Sequence, residues 1–140
     1  MIKDVKVLQP DRFEDFRGDI YTTWNDKTYP NLKWRLDKNM CGPSMILAEI
    51  GTHAYHLLLY VTGLEVNEVS AEVNSLSPEL SVDDNAFLIL RMQNKARASI
   101  WISSAATGGE NGLKIRVYGT QGALEWFQDD PNNLKFSATL

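Results

Sequence analysis

The stretch SMILAEIGTHAYHLLLYVTG, Ser44 to Gly63, decides the fold. Ile46, Leu47, Ile50, Ala54, Leu57, Leu58 and Val61 recur at steps of three and four, the period of an α-helix. Ser44 stands just before the run and can cap its first turn; Gly63 stands just after it, where a helix commonly turns left-handed and stops. The spacing predicts one long helix over residues 45–62, about five turns at 3.6 residues each. Leu59 and Tyr60 extend the apolar surface nearly all the way round, which predicts burial on more than one side. Gly51 sits mid-helix, at a cost of about 1 kcal/mol relative to alanine. Tight packing on a neighbouring layer explains it better than close approach by a ligand.

After Gly63 the period changes from helical to alternating. Val69, Ala71 and Val73 alternate within 65–75, which predicts a strand. Residues 77–84 form a loop containing Pro78 and the pair Asp83-Asp84. The strand predicted over 85–92 is apolar on both faces, with Phe87 and Ile89 on one and Leu88, Leu90 and Met92 on the other. A hairpin turn at Gln93-Asn94-Lys95 leads into 96–104, where Ala98, Ile100 and Ile102 oppose Ser99, Trp101 and Ser103. A glycine-rich loop over 107–112 precedes Leu113, Ile115 and Val117, which alternate with Lys114, Arg116 and Tyr118. A turn at Gly119-Thr120-Gln121-Gly122 leads to strands around Leu124-Trp126 and Leu134-Phe136. A helix followed by a run of strands with short connections predicts an α+β fold: a mostly antiparallel sheet of five or six strands with one long helix packed on one face.

Residues 1–33 are polar and punctuated. Val5, Val7 and Leu8 start a short strand, Gly18 supplies a turn, and Ile20 to Trp24 favour extended backbone. We treat 1–33 as an N-terminal extension of uncertain origin and 34–140 as the main domain.

The chain has 140 residues, 44% hydrophobic and 23% charged, the composition of a folded globular domain. Its net charge of -4, with no basic run, argues against nucleic acid and anionic membranes as partners. The charges within the first 20 residues are not those of a signal peptide, and no apolar run has the length of a membrane span. The lone Cys41 forms no internal disulfide, and the cytoplasm is the expected location.

Glu49 and His53 are four residues apart on the expected helix, which places them on one face within hydrogen-bonding reach. A carboxylate that orients an imidazole suits a proton-transfer residue, and it also suits a structural pair with no chemistry. His53 and His56, with Glu49, have the types for a metal site, but no further histidine exists and no metal is expected. Cys41 has no evident activating partner. The glycine pairs fit no phosphate-binding fingerprint.

Trp34-Arg35-Leu36-Asp37, Gly42-Pro43-Ser44, Glu49-Ile50-Gly51-Thr52-His53-Ala54 and Val61-Thr62-Gly63-Leu64 together resemble the C-terminal domain of the Gfo/Idh/MocA dehydrogenases. Asp83-Asp84-Asn85, the 116–126 stretch and Asp130-Pro131-Asn132 agree in order over residues 34–137. The resemblance implies the substrate-side domain of an NAD- or NADP-dependent sugar or polyol dehydrogenase, truncated here and inactive alone. It implies that His53 is the catalytic acid/base with Glu49 beside it, and that Thr52, His56, Trp34 and Arg35 contact substrate. It also implies a separate Rossmann-domain partner for the cofactor, which this chain is not expected to bind alone. A homo-oligomer through the sheet face, with Ser99, Trp101, Ser103 and Tyr118, is the non-enzymatic alternative. The opening Met1 to Val5, with the Asp15-Phe16-Arg17-Gly18 turn, resembles the start of dTDP-4-dehydrorhamnose 3,5-epimerase-like proteins, which implies a third reading as an epimerase relative with a closed β-barrel.

Overall fold

A computed structural model describes residues 6–7, 30–78, 80–106 and 112–139. The short strand β1 (Lys6–Val7) is followed by a 3-10 segment (Pro30–Leu36), a π-helical turn (Leu47–Gly51) and helix α1 (Thr52–Thr62). Six strands come after it: β2 (Val66–Asn74), β3 (Asn85–Met92), β4 (Arg97–Ser103), β5 (Lys114–Gly119), β6 (Gly122–Phe127) and β7 (Leu134–Ala138). The expected α+β architecture is the observed one. The extended stretch expected at 20–24, the turn at Gly18 and most of the glycine-rich loop lie outside the described residues.

All the described strands lie in one sheet of order β2-β3-β4-β1-β5-β6-β7. Two antiparallel ladders, β2-β3-β4 and β5-β6-β7, are joined by β1, which runs parallel to β4 and antiparallel to β5. The sheet is open, with β2 and β7 at its ends, so the barrel implied by the epimerase-like reading is not formed among the described residues. At the β3–β4 turn Asn94 and Lys95 both have positive φ, 53° and 66°. Two left-handed residues give a hairpin turn whose twist matches that of the strands it joins.

Alternation sorts the sheet into two faces. Leu88, Leu90, Ile100, Ile102, Ile115 and Val117 point to the helix side and are buried there. Ile46, Ile50, Ala54 and Leu58 of the helical run meet them. Gly51 is part of that contact: a Cβ placed there would lie 3.0 Å from Ile102 Cδ1 and 3.2 Å from Leu47 Cδ2. The glycine therefore serves packing, as its position in the sequence indicated.

The helix departs from expectation in two ways. It is not uniformly α: its first turn is π-helical over Leu47–Gly51. It is also buried on one side only. Tyr60 is 80% exposed and Val61 is 41% exposed, because a single sheet is the only layer packed on it among the described residues. The C-terminal stop is as expected: Gly63 is left-handed, with φ 64°, and its N–H donates to Leu59 O at 2.8 Å.

Candidate functional site

The helix start is held by an aspartate from the far side of the sequence. Asp83 Oδ1 accepts the Met45 N–H at 2.9 Å. Its Oδ2 accepts the Ile46 N–H at 2.9 Å and the Ser44 hydroxyl at 2.6 Å. Ser44 Oγ in turn accepts the Leu47 N–H at 3.2 Å. Ser44 is thus the expected cap, but it shares the task with a carboxylate that also complements the positive end of the helix dipole. The neighbouring Asp84 is fully buried and accepts the Leu76 and Ser77 N–H groups at 2.7 and 3.0 Å. These two aspartates, read from the sequence as loop residues, fix the helix and the β2–β3 connection to each other. No sequence signal links Asp83 to Ser44, because the two are 39 residues apart.

The π-helical turn carries Glu49. Such turns are rare insertions that recur at functional sites, because they change the direction in which side chains leave the helix. Here the consequence is specific. Glu49 Oε2 accepts a hydrogen bond from Arg35 Nε at 3.1 Å, and no hydrogen bond joins Glu49 to His53. The expected Glu49–His53 contact is therefore corrected. The i,i+4 overlay on which it rested belongs to an α-helix, and the wider π turn with its i→i+5 bonding breaks that overlay. Arg35 comes from the 3-10 segment, and its guanidinium also lies over the Trp34 ring, 4.7 Å from the centroid. Trp34, Arg35 and Glu49 thus form one contiguous group.

His53 stands exposed on the first turn of α1. Thr52, beside it, donates its hydroxyl to Ala48 O at 3.2 Å. His56 lies one turn on and faces Tyr60, with ring centroids 6.2 Å apart. The structure brings Trp34, Arg35 and Glu49 together and presents Thr52, His53 and His56 on the neighbouring turns. It does not converge Glu49, His53 and His56 on one point: among the described residues no three His, Cys, Asp or Glu side chains are placed to hold a metal ion.

Dinucleotide cofactors commonly bind where a strand passes through a glycine turn into a helix, with the pyrophosphate on the free helix N-terminus. Among the described residues the helical run follows a 3-10 segment and a loop, and its first N–H groups are taken by the Asp83 carboxylate. A second anion at that position would meet the first. No helix of the described residues is long and apolar enough to cross a membrane.

The sheet face away from the helix carries Phe87, Ile89, Ser99, Trp101 and Tyr118, as the alternation indicated. Ser103 leaves that list: it is 2% exposed, and its Oγ accepts the Ala105 N–H at 3.2 Å, so the chain's own turn after β4 covers it.

The model of the GFO/IDH/MocA C-terminal domain family matches residues 13–125, and so takes in part of the 1–33 stretch. The chain is 28% identical over 138 residues to the uncharacterized oxidoreductase YfiI of Bacillus subtilis, which covers 97% of this chain and 34% of that protein. It is 26% identical over 136 residues to levoglucosan dehydrogenase of Pseudarthrobacter phenanthrenivorans, covering 81% of this chain and 34% of that one. An inositol dehydrogenase homolog from Azotobacter vinelandii, solved in complex with NAD+, matches with a TM-score of 0.80 at 26% identity, over 99% of this chain and 34% of that one. The chain thus spans about a third of the length of the curated relatives it matches. The family model covers well over half of the chain, and the chain belongs to the GFO/IDH/MocA C-terminal domain family.

Proposed function

We propose that this chain is the substrate-side part of an NAD(P)-dependent sugar or polyol dehydrogenase, with His53 as the group that exchanges a proton with the substrate hydroxyl. One observation carries the reading: in a chain of this family, His53 stands exposed directly after a π-helical turn whose own carboxylate, Glu49, is committed to Arg35. An imidazole with an open face is suited to take or give a proton at a bound hydroxyl. Glu49 Oε1 makes no hydrogen bond to a described residue and accepts a second hydroxyl of the substrate. Trp34 and Arg35, on one side, and Thr52 and His56, on the other, complete the polyol contacts. Aromatic rings suit the C–H faces of sugars, and carboxylate and imidazole suit their hydroxyls.

The cofactor in this reading comes from a separate Rossmann-domain partner, and the chain alone is inactive. The occupied helix N-terminus supports that division. A cytoplasmic location belongs to the same proposal. The family match from residue 13 and the insertion of β1 between the two ladders favour one continuous domain over an independent 1–33 extension.

Two titrations test the proposal. Saturation-transfer NMR with levoglucosan and with an inositol is expected to show contacts that His53→Ala weakens, and NADH fluorescence is expected to show no saturable complex. Tight NADH binding by the chain would overturn the division of labour. The absence of contacts with either polyol would overturn the substrate-side assignment.

A second reading, an assembly module, rests on the open sheet face, where Phe87 and Ile89 are 43% and 50% exposed. Light scattering is its test: a strict monomer at high concentration would remove it.

A further inference from the structure

We propose that the π-helical turn is a positioning device for the site: it holds one residue more than an α-helix would place between two fixed ends, and that residue turns Glu49 away from His53 and onto Arg35. The proposal rests on the substrate-side reading above and adds to it what keeps the two side chains apart.

Both ends of the turn are anchored. Before it, the Asp83 carboxylate holds the Met45 and Ile46 N–H groups, and the Ala48 N–H donates to Ser44 O at 3.3 Å in ordinary α-helical register. After it, Ala54 and Leu58 are buried in the core, and Gly51 fits against Ile102. Neither end can slide by a residue without giving up these contacts. Between them the register changes. The Thr52 N–H reaches Leu47 O, five residues back, where an α-helix would bond it to Ala48 O. The Thr52 hydroxyl donates to Ala48 O instead, at 3.2 Å. The carbonyl that the Thr52 backbone passes over therefore still has a donor.

Burial shows what the extra residue does. Ile46, Ile50, Ala54 and Leu58 are all buried and stand four apart in sequence. In a uniform α-helix each step of four overshoots a full turn by about 40°, so three steps would carry Leu58 about 120° round from Ile46. The wider π turn falls short of a full turn over the same step and brings the four back to one face. The same change of phase separates residues that an α-helix overlays. Glu49 leaves the helix toward Arg35, with Nε to Oε2 at 3.1 Å, and the His53 imidazole stays exposed.

Packing alone does not call for this arrangement. Ala48 is exposed. Without it, Ile46, Ile50, Ala54 and Leu58 would stand at steps of three, four and four, the spacing of a regular amphipathic helix. Asp83 and the sheet would still hold the two ends. In that helix Glu49 and His53 overlay at i,i+4, the carboxylate meets the imidazole, and Arg35 loses its partner. The face of His53 that takes the substrate hydroxyl would be occupied from within the chain. Local departures from regular backbone persist where a site uses them, and this one separates a carboxylate from an imidazole.

Two measurements test the proposal. In the intact chain, NMR scalar coupling across the hydrogen bond from the Thr52 N–H should reach the Leu47 carbonyl; coupling to the Ala48 carbonyl would overturn it. The second removes Ala48. The shortened chain is expected to fold with a Tm equal to or above that of the intact chain and to show side-chain NOEs between Glu49 and His53. It should bind levoglucosan or an inositol about tenfold or more weakly in saturation-transfer titrations. A shortened chain that fails to fold or melts lower, or one that keeps its polyol contacts, would overturn the proposal. Absence of polyol contacts in the intact chain is a different result: it removes the substrate-side reading and the positioning claim together. Contacts that survive the deletion remove the positioning claim alone.

Discussion

Replacing Asp83 with asparagine isolates the link between the β2–β3 connection and the start of the helix. The carboxylate accepts three hydrogen bonds, two of them from the backbone of Met45 and Ile46, both buried residues. Asparagine keeps the shape but has one acceptor oxygen. Its NH2 group must face either the Met45 N–H or the Ile46 N–H, leaving one donor without a partner. An unsatisfied buried donor costs about 1–3 kcal/mol, and loss of the negative charge at a helix N-terminus about 0.3–1 kcal/mol more. We expect Asp83→Asn to destabilise by about 2–3 kcal/mol, a fall in Tm of about 6–12 °C for a chain of this length. Ser44→Ala alone should cost about 1 kcal/mol. Because Ser44 donates to Asp83, the two losses should not add. Urea unfolding followed by circular dichroism on the four corners of this cycle measures both terms. A loss below about 0.5 kcal/mol for Asp83→Asn, or strict additivity with Ser44→Ala, would refute the reasoning.

Three further outcomes follow from the geometry. Gly122 has φ 153°, and an added Cβ would lie 2.6 Å from the Ser137 carbonyl, whereas Gly63 faces open space. Gly122→Ala should therefore cost about 2–4 kcal/mol and Gly63→Ala about 1 kcal/mol, read by the same unfolding assay. The hydrogen bond from Lys135, with Arg116 alongside, holds the Glu125 carboxyl below the usual carboxylate range, against the opposing effect of burial. A lowered folded pKa contributes stability that is present above the unfolded value and is lost as pH falls through the folded one. In Lys135→Met the Glu125 carboxyl should titrate at higher pH, so acid destabilisation begins earlier; side-chain NMR titration of Glu125 checks this. The Arg35–Glu49 pair is partly exposed, so Arg35→Met should cost under about 1 kcal/mol of stability while weakening polyol contacts in saturation-transfer NMR.

Much of the fold was legible because it rests on local periodicity. The helical stretch between Ser44 and Gly63, the alternation of β3, β4 and β5, and the Gln93–Lys95 turn are each written in consecutive residues. What escaped notice depends on partners distant in sequence. Asp83 looked like a loop residue because the donors it satisfies lie 37 to 39 residues away. Glu49 was paired with His53 on α-helical spacing, and nothing in the residue types announced a π turn or that Arg35, 14 residues upstream, would claim the carboxylate. The helix was expected to be buried all round because its composition is apolar all round, yet composition does not say how many layers are present to cover it. His53 was legible as a candidate from its motif. Its exposure was not, since that depends on which side of the helix faces the sheet.

The most direct measurement of the central claim joins this chain to the cofactor domain of a relative and follows nicotinamide reduction with levoglucosan or an inositol as substrate. The account predicts turnover by the joined protein, none by the chain alone, and a loss of about 10²–10⁴-fold in kcat for His53→Ala. Turnover that survives His53→Ala unchanged, or that the chain performs without the added domain, would contradict it.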